Sequence, residues 1–227
     1  YIVQTRHHTI LVDTCCGPDK DIPEWPEWHA RKQEQYVANL GAHGLCFEDI
    51  DVVMCTHLHV DHTGWNTRLV DGRWVPTFPN ARYIMARVEL EQWEGERSSV
   101  YVQNVLPVVE AGRAMVVGTD FVLDDTVRLE FTPGHTSGHC CVHVQSKNET
   151  ALILGDAMHS PVQCRHPHWH CAFDLDKAQA VSTRRALLER YADTGTLVCA
   201  THFPFPSAGF FVAEGDRFRF LYDRHDW

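Results

Sequence analysis

The sequence predicts one mixed α/β domain, richer in strands than in helices. Three observations carry that reading. A chain of 227 residues is long enough for one sizeable core and holds two only with difficulty. Short alternating or β-branched runs recur along its length, with helical patterns set between them. No linker, repeat or low-complexity segment interrupts 1–227, as a single layered domain requires.

In chain order, residues 1–4, 8–13 and 52–56 read as strands; the VVM of the third is apolar throughout and suits a buried strand. Residues 30–40 read as a helix stopped by Gly41. Strands at 82–86 and 113–117 enclose two helical stretches, 87–94 and 98–105. Strands at 126–132, 140–145 and 151–154 lead to the clearest helix, 175–191, with Asp174 placed as its N-cap and Gly195 just past its end. Strands at 196–200, 209–213 and 217–222 follow. The Pro-rich piece IPEWPEWH, 22–29, reads as an ordered loop. Its Trp25 and Trp28, with Trp65, Trp74 and Trp93, concentrate tryptophan in the first hundred residues. Packing at a core edge is the preferred reading of these rings, a substrate-facing wall the alternative.

Composition narrows the function. Hydrophobic residues at 44% and charged residues at 22% are ordinary for a globular protein, and no apolar run approaches the roughly 20 residues a membrane span needs. Thirty acidic against twenty basic residues give a net charge of -10. The basic residues are scattered, which argues against nucleic acid as a partner. Bound divalent cations would offset part of that negative charge. Nine cysteines without a CxxC read as reduced thiols of a cytoplasmic protein. The chain enters strand-like sequence at Tyr1 without a Met, so an N-terminal segment is expected to be missing from it.

Sixteen histidines require a chemical reason. The stretch CTHLHVDHTGW, 55–65, holds His57, His59, Asp61 and His62 where a buried strand should end. In an extended exit, His57 and His59 project to one side and can meet one ion. Asp61 and His62, adjacent in sequence, suit a second ion beside it. Catalytic zinc takes about three protein ligands and keeps a position for water, so further donors are needed. His135 in TPGHTSGH, Asp156 in LILGDAMH and His202 in VCATHFPFP each stand at the end of a predicted strand.

THLHVDH, TPGHTSGH, LGDAMH and ATHFPFP, in that order, resemble the metallo-β-lactamase superfamily, nearest to its N-acyl-homoserine lactonase and methyl parathion hydrolase branch. The resemblance implies a four-layer αβ/βα sandwich, two mixed β-sheets packed face to face with helices outside. It implies two divalent metal ions, zinc first and Mn, Fe or Co as alternatives. One ion would be held by His57, His59 and His135, the other by Asp61, His62 and His202, with Asp156 bridging and Asp13 orienting ligands from behind. Gly134 and Gly138 would shape the loop that presents His135, and His139 would be either a supporting partner or structural. The remaining histidines, including His143, His225 and the HPHWH of 166–170, are expected to be surface or locally hydrogen-bonded residues.

The chemistry that follows is hydrolysis by a metal-bridging hydroxide. Asp61 is the candidate proton relay to the leaving group, and His159, three residues past Asp156, the candidate donor to an oxyanion or leaving group. Class B β-lactamases lack a bridging Asp at the position of Asp156, and flavin-linked di-iron members carry a Glu at that of His59. Glyoxalase-II-type thioesterases, a competing reading, use basic residues near the C-terminus where this chain has FPFPSAGFF; a non-catalytic metal-binding relative would have lost ligands. The expected substrate is a small, largely apolar lactone, aryl ester or organophosphate triester, with Phe203, Phe205, Phe210, Trp65, Trp25 and Trp28 as candidate wall residues. The expected partners are this small molecule and, through the early loops, a second copy of the chain as a homodimer.

Overall fold

The computed structural model describes residues 1–223 and contains two compact units, 1–117 and 118–227. In the first, strands β1 (Ile2–Gln4), β2 (Thr9–Val12), β3 (Val52–Met54), β6 (Arg82–Ala86) and β7 (Ala114–Val117) form a sheet in that order, and β4 (Thr67–Val70) pairs with β5 (Arg73–Pro76) as a separate hairpin. β1 runs antiparallel to β2, the remaining pairs of the five-stranded sheet are parallel, and β4 and β5 are antiparallel. Parallel neighbours need crossover connections. Helix α1 (Glu34–Ala42) lies in the connection from β2 to β3, α2 (Val60–Thr63) follows β3, and α3 (Arg87–Glu96) and α4 (Leu106–Glu110) lie between β6 and β7. β3 is buried at all three positions, as its unbroken apolar run requires. Its Val53 packs with Leu11, Ile50, Tyr83, Met85 and Val105 in the unit's core.

The second unit holds a six-stranded sheet. Its strands are β8 (Val127–Phe131), β9 (Cys140–Ser146), β10 (Glu149–Ile153), β11 (Leu197–Cys199), β12 (Ala208–Glu214) and β13 (Arg217–Tyr222), joined as neighbours in sequence order. Only β10 and β11 are parallel. Short α5 (Val162–Arg165) and long α6 (Lys177–Tyr191) occupy their connection. Leu187 and Leu188 of α6 join Leu152, Leu154, Val198 and Phe211 in this unit's core. Both sheets are therefore mixed. Among the described residues no helix is long and apolar enough to cross a membrane.

Several expectations need correction. α1 starts at Glu34 rather than residue 30, because Ala30 has a φ of 50° and gives its N–H to Lys20 O; it also runs through Gly41 to Ala42. The helical stretch expected at 98–105 is a wider turn over Tyr101–Val105 that continues as α4 through Pro107, which sits in a first turn where its missing N–H costs nothing. The N-cap of α6 is Asp176, whose carboxylate accepts from Gln179 N at 2.9 Å; Asp174 is engaged elsewhere. The β4–β5 hairpin was not expected, although Asp71 and Gly72 at its turn both take positive φ and Asp-Gly is a hairpin signal.

Trp65 is 5% exposed and stacks on Tyr36 at 4.7 Å, so it belongs to the core, and Phe203, 4% exposed, packs edge-on against Phe220. Trp25 and Trp28 stack on each other in a turn-rich loop and pack against Ile22, Val60 and Val100. Of the wall candidates, Phe205 at 90% exposure is the clear surface ring, with Phe210 half-buried. His143 is a buried residue of β9 rather than a surface one. His225 lies outside the described residues. The described cysteines form no disulfide.

Candidate metal centre

Each unit gathers its own share of the expected donors. In the first, β2 and β3 are parallel with Val12 opposite Met54, and Asp13 N–H donates to Met54 O. That register sets Asp13 beside Thr56 at the C-terminal ends of the two strands. Asp13 takes a positive φ of 60°, a strained conformation outside glycine. Its Oδ1 accepts from Thr56 N and its Oδ2 from Thr56 Oγ1, both at 2.8 Å.

These contacts orient the imidazoles. Thr56 Oγ1 spends its proton on Asp13, so at 3.1 Å it accepts the Nδ1 proton of His57. The Asp13 carboxylate takes the Nδ1 proton of His62 directly at 2.8 Å. Both rings therefore have Nε2 as the atom that could hold a metal ion. His57 Nε2 faces His59 Nδ1 at 2.9 Å, the His57 and His62 rings lie 4.0 Å apart, and His62 Nε2 is 3.5 Å from Asp61 Oδ2. The unit thus brings His57, His59, Asp61 and His62 together. Gly64 is needed where this segment passes the Cys15–Gly17 loop: an added Cβ would lie 1.8 Å from Cys16 C and O.

Sequence reasoning missed Glu89. This α3 carboxylate, 1% exposed, accepts from Leu58 N at 3.0 Å and from Trp93 Nε1 at 2.8 Å. Leu58 stands between His57 and His59, and Trp93 meets the His59 ring edge-on at 5.3 Å. One buried acceptor thus fixes the backbone and one ring wall of the His-x-His turn. Glu89 lies in the first turn of a helix that carries four glutamates, so nothing in the sequence singled it out.

The second unit builds around Asp156. β10 and β11 run parallel with Ile153 opposite Cys199, so Asp156 and His202, each three residues further, leave the sheet side by side. His202 Nε2 lies 3.1 Å from Asp156 Oδ1, and His159 Nε2 lies 3.1 Å and His135 Nε2 3.4 Å from Oδ2. His159 and His202 stack at 5.2 Å. All four second-unit candidates, His135, Asp156, His159 and His202, therefore converge.

The loop carrying His135 depends on Gly134, with φ of 130° and a site where any Cβ would sit 2.2 Å from Ala180 N. His139 is a supporting residue: its Nε2 accepts the Asp156 N–H at 2.9 Å, which puts its proton on Nδ1, facing Thr132. Asp174, the expected helix cap, instead takes the His135 Nδ1 proton at 3.0 Å on Oδ1. Its Oδ2 accepts from Cys171 N and lies 3.4 Å from the wholly buried Arg184. His135 thus also has Nε2 as the atom that could hold a metal ion.

Burial opposes charge on His159, but its hydrogen bond to Asp156 and its neighbour Cys171 outweigh burial and lift it to about 9. His135 and His159 also group with Asp174 as potential ligands.

The donor chemistry fits divalent metal. His57, His62 and His135 each have the Nδ1 proton drawn to a partner at their backs, the arrangement that holds imidazoles as neutral metal ligands. Imidazole and carboxylate donors without thiolate suit zinc and its first-row neighbours.

The family model described as the metallo-beta-lactamase superfamily matches residues 1–202. The chain belongs to the metallo-beta-lactamase superfamily. Within that superfamily it is 29% identical over 213 residues to the N-acyl homoserine lactonase AttM of Azorhizobium caulinodans, a match covering 84% of this chain and 72% of the lactonase. It is also 29% identical over 158 residues to the atrochrysone carboxyl ACP thioesterase of Aspergillus fumigatus, covering 69% of this chain and 28% of the thioesterase. The chain spans 38%, 60% and 63% of three further curated relatives. Among solved structures, AidC, a dizinc quorum-quenching lactonase in complex with a homoserine product, superposes with a TM-score of 0.84 at 22% identity over 100% of this chain and 79% of that one. The expected superfamily fold is thereby shown.

Proposed function

We propose that the chain is a dinuclear metal-dependent hydrolase that opens lactones or cleaves a related ester-like bond in a small, largely apolar molecule. In this reading the two sets of donors complete each other. One ion would be held by His57, His59, His135 and Asp156, the other by Asp61, His62, Asp156 and His202. The observation that carries the reading is the backing of three of these imidazoles: His57 by Thr56, itself bonded to Asp13, His62 by Asp13 directly, and His135 by Asp174.

When bound, two divalent cations supply a water acidified towards neutrality and a Lewis acid for the ester oxygen. The chain's own residues do the rest. Asp61, 19% exposed at its side chain, is placed to carry a proton to the departing oxygen. His159, 3.1 Å from Asp156 Oδ2, is placed to donate a hydrogen bond to the oxygen on which charge develops. Asp13, Glu89, His139 and Asp174 hold their neighbours and touch no substrate. The lactonase relatives and the dizinc neighbour support the lactone as first substrate and zinc as first metal. The thioesterase relative supports a thioester as the competing reading.

The test is metal analysis of the purified protein, then turnover of homoserine lactones, aryl esters, phosphotriesters, thioesters and a cephalosporin. About two ions per chain are expected, and fewer than about 1.5 after full loading would sink the dinuclear reading. Lactone turnover above all other classes is the expected result. Efficient thioester turnover without lactone, ester or triester activity would replace it with the thioesterase reading.

A further inference from the structure

The second unit has a cleft of about 240 Å³ where the loop after α5, one face of α6 and the β12–β13 turn meet. Arg165, Arg185 and Arg217 all line it, with His166, His168 and one carboxylate, Asp216. These histidines begin the HPHWH segment, which the metal reading leaves without a role. Three guanidiniums on one small cavity contrast with the scattered basic residues and net charge of -10 of the whole chain.

The acidic groups nearby leave these cations with donors to offer. Glu214 lies 3.8 Å from Arg165 and is already bonded to Arg219 at 2.7 Å, while Asp216, 93% exposed, lies 4.0 Å from Arg217. Neither contact is short enough for a hydrogen bond. Glu189 does bond Arg185 at 2.8 Å, but through Nε, so the Arg185 terminal nitrogens are not spent on it.

The cleft is also pre-shaped. Arg184, wholly buried, donates to Pro167 O at 3.0 Å and Trp169 O at 2.8 Å, and Gln163 donates to Trp169 O at 2.9 Å. His166 stacks on Trp169 at 4.7 Å. The loop that carries the histidines is therefore fixed before any ligand arrives, which lowers the ordering cost of binding. Val181, one turn of α6 before Arg185, and Phe218 give the cavity an apolar side.

Guanidinium groups match the tetrahedral oxyanion of a phosphate by paired hydrogen bonds. We propose that this cleft binds a small phosphomonoester, its phosphate on Arg165, Arg185 and Arg217 and its carbon body against Val181 and Phe218. The site stands apart from the hydrolase reading and does not depend on it.

The test is NMR titration of the metal-loaded full chain with inorganic phosphate, glycerol 3-phosphate and glycerol at matched ionic strength. It follows the imidazole resonances of His166 and His168, assigned through His166→Gln and His168→Gln. Saturable shifts with both phosphates and none with glycerol are expected. In the Arg165→Gln/Arg217→Gln double variant, and separately in Arg185→Gln, affinity should fall about tenfold or more with melting temperature unchanged. No shift of His166 and His168, or shifts that persist with the same affinity in both variants, would overturn the proposal; phosphate held only at the metal donors would give that second result or no shift here.

Discussion

Asp174 accepts the Nδ1 proton of His135 at 3.0 Å with one oxygen while its other oxygen faces Arg184, a guanidinium with no solvent exposure, at 3.4 Å. One carboxylate therefore serves two ends: it fixes the ring of a proposed metal ligand and neutralises a buried cation. Removing it should affect both. Asp174→Ala is expected to cost about 3 kcal/mol of stability, because it leaves Arg184 buried with carbonyl partners alone, and to weaken metal binding about 10–100-fold. In an Arg184→Met background the stability cost of Asp174→Ala should shrink while the metal defect stays. Denaturant melts and chelator competition on the four proteins of the cycle separate the two, and a metal affinity equal to the parent's would remove Asp174 from the site.

Glu89 makes a sharper case, since it acts on the His-x-His turn through Leu58 and Trp93. Its oxygen accepts from Leu58 N and Trp93 Nε1. Glu89→Ala should strand the Leu58 N–H in the core at about 1–3 kcal/mol and weaken retention of the ion held by His57 and His59. Glu89→Gln keeps an acceptor and should restore retention. Metal stoichiometry under a fixed chelator reads this directly, and a Gln variant no better than Ala would show that the charge, not the acceptor, matters.

For His159, the expectation from its offset to Asp156 now has a geometry, a 3.1 Å contact to Asp156 Oδ2 and a stacked ring on His202. His159→Ala should lower kcat on the best substrate by about 10²–10³ with two ions per chain still bound. Unchanged kcat would remove the proposed hydrogen bond to the developing charge.

How much of this was legible in the residues follows from what each reading needed. His57, His59, Asp61 and His62 are close in the chain, so strand period and adjacency alone gathered them. His135, Asp156 and His202 each follow a strand end, and the parallel register of β10 and β11 makes two of those ends coincide. Asp174 was read as a helix cap because Asp174 and Asp176 are equivalent in a local pattern; only the packing of His135 and Arg184 tells them apart. The β4–β5 hairpin was overlooked because Arg68 and Arg73 blur its alternation, although its Asp71-Gly72 turn was in view. Trp65 could not be assigned between core and substrate until Tyr36 and Phe47 were seen against it.

Lys20 gives the pH prediction. Its ammonium is 1% exposed, donates to Thr67 O at 3.1 Å and Thr67 Oγ1 at 2.7 Å, and sits 3.7 Å from the Trp74 ring. Burial pulls it from 10.5 down to about 6, with Asp19 working against the fall. The native pKa lies below the unfolded one, so between about 6 and 10.5 the unfolded chain binds a proton that the native chain has released, and Lys20's contribution to stability rises with pH across that window. Below about 6 both states carry the charge and the full burial cost applies. The acceptors on Thr67 and the face of Trp74 favour the ammonium and make the swing smaller than burial alone would. Lys20→Met removes the titration. Its melting temperature relative to the parent should therefore be higher at pH 5.5 than at pH 9 by a few degrees, equivalent to about 1 kcal/mol or more for a chain of this size. A difference that is flat from pH 5.5 to 9 would mean that Thr67 and Trp74 hold the ammonium charged throughout, and a difference that grows with pH would contradict the depressed pKa outright.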